Sequence, residues 1–131
     1  MMAPMPRATG WVLCALLPIL AASCGSQPGD PNALPSWIAA YPGASPQAAG
    51  STKTPNGLQR DFTFKTTDDA EKILGFYQRQ LMQSGLHMEA RGGGEYGGML
   101  TAADDSRKRG VTINIRAEKG ASDVTITVIE K

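Results

Sequence analysis

The sequence predicts an α+β two-layer sandwich, with one amphipathic helix packed on a mainly antiparallel sheet of about five strands. Three observations lead there. Residues 69–84 carry apolar side chains at helical spacing: Ala70, Ile73, Leu74, Tyr77 and Leu81. Several other stretches alternate apolar and polar residues with the period of two that a half-buried strand requires. The connections between them are short, which makes neighbouring strands antiparallel. One helix covers one face of such a sheet, so the opposite face is expected to be largely polar.

The chain begins with a different kind of segment. Residues 1–9 hold one positive charge, Arg7, and no acid, and residues 10–22 are almost wholly apolar. Such a run reaches only about 20 Å as a helix, short of the ~30 Å hydrocarbon core, and Pro18 would interrupt it. This is the pattern of a signal peptide over residues 1–23 rather than of a membrane span. The run ends Leu20-Ala21-Ala22-Ser23-Cys24-Gly25, which resembles the lipobox of bacterial lipoproteins, with Ala21 where leucine is preferred. The resemblance implies cleavage before Cys24 and acylation of its thiol, so that a membrane partner is reached through a lipid anchor. Gly25, rather than aspartate, after the cysteine implies the outer membrane if the cell is Gram-negative. Cys14 would leave with the signal, and Cys24 would be the only cysteine of the remaining 108 residues, with no disulfide available.

Residues 24–35 read as the lipidated cysteine and a flexible tether, rich in Gly, Pro, Ser and Asn. The single α+β domain is expected over residues 36–131. Trp37 and Ile38 should dock on its core, and Pro42-Gly43 suits a type II turn. A short strand across 44–51 is a further candidate. Pro55-Asn56-Gly57 marks a turn into a strand with Leu58, Phe62 and Phe64 inward and Asp61, Thr63 and Lys65 outward. Asp68 and Glu71 have capping-box spacing at the start of the helix, and Gly85 with Leu86 suits a Schellman ending. A strand over 86–91 should place Leu86, Met88 and Ala90 on one side and His87, Glu89 and Arg91 on the other. Gly92-Gly93-Gly94 is expected as a connection, and 96–103 as a weaker strand interrupted by Gly97 and Gly98. Val111, Ile113 and Ile115, then Val124, Ile126 and Val128, mark two further strands.

The residues 41–44 (Tyr-Pro-Gly-Ala), 66–68 (Thr-Thr-Asp), Phe76-Tyr77, Leu81 and Gly85 resemble a group of small exported bacterial lipoproteins of uncharacterised function. Leu86 stands where that group often has tryptophan. The resemblance implies this fold and an exported location, and it carries no activity.

No catalytic constellation is legible. His87 is the single histidine, with no second histidine or free cysteine to complete a soft-metal set. Asp68, Asp69 and Glu71, and likewise Asp104 and Asp105, lack calcium-loop spacing and read as helix-start and hairpin-loop acids. Arg107-Lys108-Arg109 reads as a solvated hairpin tip. The glycine stretch 92–98 lacks the lysine and following helix of a phosphate loop. Without Arg7 the chain has 12 basic and 12 acidic residues, which argues against nucleic acid as a partner. The expectation is therefore a non-enzymatic, lipid-anchored interaction module of the cell envelope with no metal and no cofactor. Its contact surface for an envelope protein or polymer is expected near Tyr96, Gly97 and Gly98. The alternative is a domain that binds a small ligand or cell-wall polymer.

Overall fold

The computed structural model describes residues 32–131; the expected signal peptide, Cys24 and most of the expected tether lie outside the described residues. Six strands and one helix follow in the order β1 (Gln47–Thr54), β2 (Gly57–Thr66), α1 (Ala70–Gln83), β3 (His87–Gly94), β4 (Gly97–Ala103), β5 (Arg109–Glu118) and β6 (Ala121–Glu130). All pair antiparallel in one sheet with the order β1-β2-β6-β5-β4-β3. The two-layer α+β architecture is as expected, but the strands number six rather than about five. The chain runs through the β1–β2 hairpin, crosses with α1 to the far edge, and returns by a four-strand meander that seats β6 against β2.

The helix starts and stops for local reasons. Asp69 is the N-cap, its carboxylate accepting from the Lys72 backbone N–H at 2.9 Å. The capping box expected from Asp68 does not form. Asp68 instead accepts from the Tyr41 hydroxyl, and Glu71 pairs with Arg91 at 2.8 Å. At the other end Leu86 N–H donates to the Leu81 carbonyl and Gly85 N–H to that of Met82, both at 3.1 Å. Gly85 takes the positive φ of 92° that this Schellman ending needs.

The buried layer joins the inward residues of α1 to Phe62, Phe64, Leu100, Ala102, Val111, Ile113, Ile115, Val124, Ile126 and Val128. The helix lies over β3, β4 and β5, which leaves β2 and β6 to be covered by another segment. That cover is the chain ahead of β1, a strap over residues 33–44. Ile38 and Tyr41 are each only 4% exposed. The Tyr41 ring stacks on Phe64 with centroids 5.8 Å apart and meets Phe76 edge-on at 5.2 Å. The expected turn at Pro42-Gly43 follows, with Gly43 at φ 81° and Ala44 N–H donating to the Tyr41 carbonyl at 3.0 Å.

Three side-chain placements depart from simple alternation. Leu58 shares the parity of Phe62 but lies at the end of the sheet and is 37% exposed. Arg60, on the same parity, is buried and paired with Glu130. A bulge between Met88 and Ala90 shifts the register of β3. Beyond it Arg91 turns to the helix side and reaches Glu71, whereas Ala90 is exposed.

The glycine run is not the connection expected. Gly92, Gly93 and Gly94 extend β3, and only Glu95 and Tyr96 separate it from β4. Gly93 pairs with Gly98 directly beneath Leu74. A Cβ on Gly98 would lie 2.7 Å from Leu74 Cδ1 and 3.0 Å from the Gly92 carbonyl oxygen, whereas one on Gly94 would meet nothing within 4 Å. Leu74 is itself 1% exposed and has little room to retreat. Gly98→Ala should therefore cost about 1–3 kcal/mol by overpacking, and Gly94→Ala only a few tenths, in line with ordinary surface substitutions. Urea unfolding of the two variants beside the wild type checks this; equal midpoints for both would remove the close-approach account of Gly98.

Candidate binding surface

Among the described residues, no helix or loop covers the side of the sheet away from α1 and the strap. Strand register aligns its residues in transverse rows. One row runs Thr101, Thr112, Thr127, Asp61 across β4, β5, β6 and β2. The next runs Met99, Asn114, Thr125, Thr63, and a third runs Gly97, Arg116, Asp123, Lys65. Neighbours within a row sit on strands about 4.8 Å apart. Thr101, Thr112, Thr125 and Thr127 are half-buried by their neighbours, and Asn114 and Arg116 are exposed. Thr127 Oγ1 donates to Asp61 Oδ1 at 2.8 Å, and Lys65 lies 3.6 Å from Asp123. The surface thus offers hydroxyls, an amide and charges of both signs, with the Met99 thioether 42% exposed among them.

Two depressions border this face. One of about 220 Å³ lies beside the β4–β5 hairpin and is lined by Glu89, Thr101, Arg107, Thr112, Thr127 and Lys131 among others. The second, about 420 Å³, lies towards β1 and is lined by Ser45, Gln47, Thr63, Lys65, Asp123 and Thr125 with Phe64 and Val124. A third of about 390 Å³ lies at the start of α1, bounded by Asp68, Asp69, Glu71, Glu95 and Glu118. Among the described residues no cluster of three or more His, Cys, Asp or Glu is placed to hold a metal ion. No described helix is long and apolar enough to cross a membrane.

The three residues expected at the contact surface separate. Tyr96 stands at the tip of the β3–β4 hairpin and is 82% exposed. Gly97 brings its backbone against β5, where a Cβ would lie 2.0 Å from the Ile115 carbonyl oxygen, and Gly98 faces Leu74 under the helix. Cys24 lies outside the described residues.

His87 is exposed on β3, with Nδ1 3.2 Å from Asp105 Oδ1 and Nε2 3.9 Å from Glu89 Oε2. Glu89 in turn pairs with Arg107 at 2.7 Å. The basic triplet is divided rather than wholly solvated. Arg107 adopts φ 61° at the hairpin, but Arg109 folds inward, its guanidinium 5.3 Å from the Trp37 ring centroid. It also donates to Asp104 at 3.0 Å and to the Ser84 carbonyl at 3.4 Å. Asp104 is therefore more than a solubilising loop acid: it also accepts from the backbone N–H groups of Lys108 and Arg109 at 2.9 and 3.2 Å. Desolvation works to raise its pKa, but the bonds from Arg109 and Lys108 outweigh it and hold the carboxyl down at about 2. Sequence reading missed Arg60 and Glu130; the signal available was Arg60 on the inward parity of β2.

Residues 45–130 match the model of a family described as START domain-like, and the chain belongs to that family. The match begins just before β1 and ends with β6, leaving the strap outside it. No curated protein matches the chain, and no solved structure matches it.

The Asp104 hairpin has a pH signature. Its folded pKa lies below the unfolded value of 3.8. The bonds are fully stabilising above that value and are lost as pH falls towards about 2. Across this window the wild type should lose more stability than Asp104→Asn, as urea midpoints at a series of pH values would show. Parallel losses would mean that the Asp104 carboxylate does not hold the hairpin.

Proposed function

We propose that this START domain-like chain is a non-catalytic binding module of the bacterial cell envelope, exported and anchored through acylated Cys24. In this reading the membrane is an outer membrane if the cell is Gram-negative. The observation that supports a binding role most is the uncovered sheet face. Across β4, β5, β6 and β2 the face carries ordered rows of Thr, Asn, Asp and Lys side chains, with Met99 and Ile129 among them, while most apolar residues of the sheet point the other way. Such a surface recognises by hydrogen bonds and charge pairing rather than by burying an apolar ligand. Tyr96, exposed at the hairpin tip, extends the contact region at one end.

A second reading is that the occupant is a small ligand or cell-wall polymer instead of a protein. Membership of the START domain-like family favours it, as do the depressions of about 220 and 420 Å³ at the margins of the face.

The two readings part in one experiment. A photo-crosslinking residue is placed at Asn114, in the middle of the open face, and as a control at Arg79 on the exposed side of α1, in live cells with either Cys24 or Cys24→Ala. The proposal expects adducts from position 114, few from position 79, and a loss of both adducts and membrane fractionation in Cys24→Ala. Adducts with a protein support the interaction module, and adducts with glycan or a small molecule support the second reading. A membrane-bound chain with no adduct at 114 would overturn the role given to this face.

A further inference from the structure

We propose that the pole of the domain where the chain arrives from Cys24 is a docking surface for anionic phospholipid headgroups. This rests on the lipid-anchor reading and adds to it an orientation: the domain stands on the bilayer instead of floating above it.

The strap joins the domain at one end of the sheet. The Ala33 carbonyl accepts from Arg60 at 3.4 Å, and Trp37 Nε1 donates to Glu130 at 3.1 Å. The last helix-side row of the sheet at this end reads Lys53, Leu58, Glu130, Arg109 across β1, β2, β6 and β5. Just beyond it, Lys131 N–H donates to the Lys108 carbonyl at 3.0 Å, which brings two more lysines to the same pole. The helix ends here too, since Arg109 reaches the Ser84 carbonyl, and its last turn carries Met82, 55% exposed.

The charges at this pole divide by direction. Its acids are largely drawn inward: Glu130 is held by Arg60 and Trp37, and Asp104 by Arg109 and the Lys108 N–H. Glu89 is paired with Arg107, and the exposed Asp105 faces His87 at the β3 edge. Lys53, Lys108 and Lys131 are left exposed, with the exposed Leu58 opposite Lys53 and the exposed Met82 in the last turn of the helix. The opposite pole gathers Asp68, Asp69, Glu71, Glu95, Glu118 and Asp123, and its cations are nearly as many: Lys65, Lys72, Arg91 and Arg116 lie against these acids, and Lys119 is exposed in the β5–β6 turn. The division lies in which charges are paired: three lysines stand apart from the acids at one pole, whereas most cations at the other lie against carboxylates.

Chain length says which pole meets the lipid. From Cys24 to Ala33 the backbone extends at most about 30 Å, and a flexible chain of that length averages about 17 Å. A ten-residue strand such as β2 spans about 33 Å, so the opposite pole stands that much further out. A tether of this length lets the lysine pole reach the headgroups, and docking brings its ammonium groups inside the ~8 Å screening length. Exposed lysines together with exposed apolar side chains suit a headgroup surface, where the ammonium groups meet phosphates and Leu58 and Met82 meet the upper acyl region.

The test uses the mature chain extracted from membranes and reconstituted into phosphatidylcholine vesicles with or without phosphatidylglycerol. A fluorophore is attached through N56C, in the β1–β2 turn at the lysine pole, or through E95C, in the β3–β4 turn at the other. Quenching by acyl-brominated phosphatidylcholine is then read. The proposal expects several-fold stronger quenching at position 56 than at 95, increased by phosphatidylglycerol and lost in K53Q/K108Q/K131Q or on adding salt. Equal quenching at the two positions, or quenching indifferent to both phosphatidylglycerol and the lysines, overturns the docking pole while leaving the anchor standing. Mass spectrometry of the N-terminal peptide reads the anchor separately; Cys24 without acyl chains overturns the anchor, and the docking pole with it.

Discussion

A single helix of 14 residues must cover a sheet six strands wide, and it does not reach across. At 1.5 Å per residue α1 is about 21 Å long and, with side chains, about 10 Å across, while six strands at about 4.8 Å span roughly 24 Å between the outermost. Lying over β3, β4 and β5, it leaves Phe62, Phe64, Val124 and Val128 to be buried by something else. The strap over residues 33–44 is that cover, and the closed core depends on its being held in place. Its fastenings are specific. Gln80 brackets the strap, donating to the Trp37 carbonyl at 3.0 Å and accepting from the Ala39 N–H at 3.1 Å. The Tyr77 hydroxyl donates to the Ala39 carbonyl at 3.0 Å, and its own ionisation is suppressed chiefly by burial. Burial and the Asp68 carboxylate push the Tyr41 phenol up to about 12, so it remains a donor throughout the physiological range.

The same division of labour shapes the candidate surface. Because α1 and the strap both lie on one side, nothing among the described residues covers the other, and its threonines can align in rows. The strap also determines where the domain meets its tether. By entering beside Arg60 and Glu130 it sets the polypeptide leading from Cys24 at the lysine end of the strands rather than at the opposite end. Which end of the domain the N-terminal segment reaches is then a property of the fold's topology, although the sequence as a whole has almost no net charge.

What was legible in the sequence was mostly local. The helical spacing from Ala70 to Leu81, the positive-φ glycines at 43 and 85, and the alternation in β2, β5 and β6 each depend on neighbours a few residues away. The full sheet order did not follow from such signals, because pairing β6 with β2 joins residues more than fifty apart. The bulge in β3 is a single extra residue that reverses the side of Arg91, and alternation alone offers no warning of it. Arg109 looked like one of three loop cations; only the fold brings Trp37 and Ser84 to it. On the candidate surface, the outward threonines could be named from parity. Their alignment into rows requires the register, and the grouping of Lys53, Lys108 and Lys131 requires the topology.

Hydrogen exchange of the strap is the most direct test of this account. The Ala39 and Ile38 amides donate to Gln80 Oε1 and to the Pro35 carbonyl at 3.1 and 3.0 Å. If the strap is part of the core layer, both should exchange only in openings that also expose Val124 and Ile126, and Gln80→Ala should accelerate them far more than the amides of β6. Exchange of Ala39 and Ile38 at the rate of an unprotected peptide, with β6 fully protected, would show that the sheet closes without the strap and would contradict the central claim.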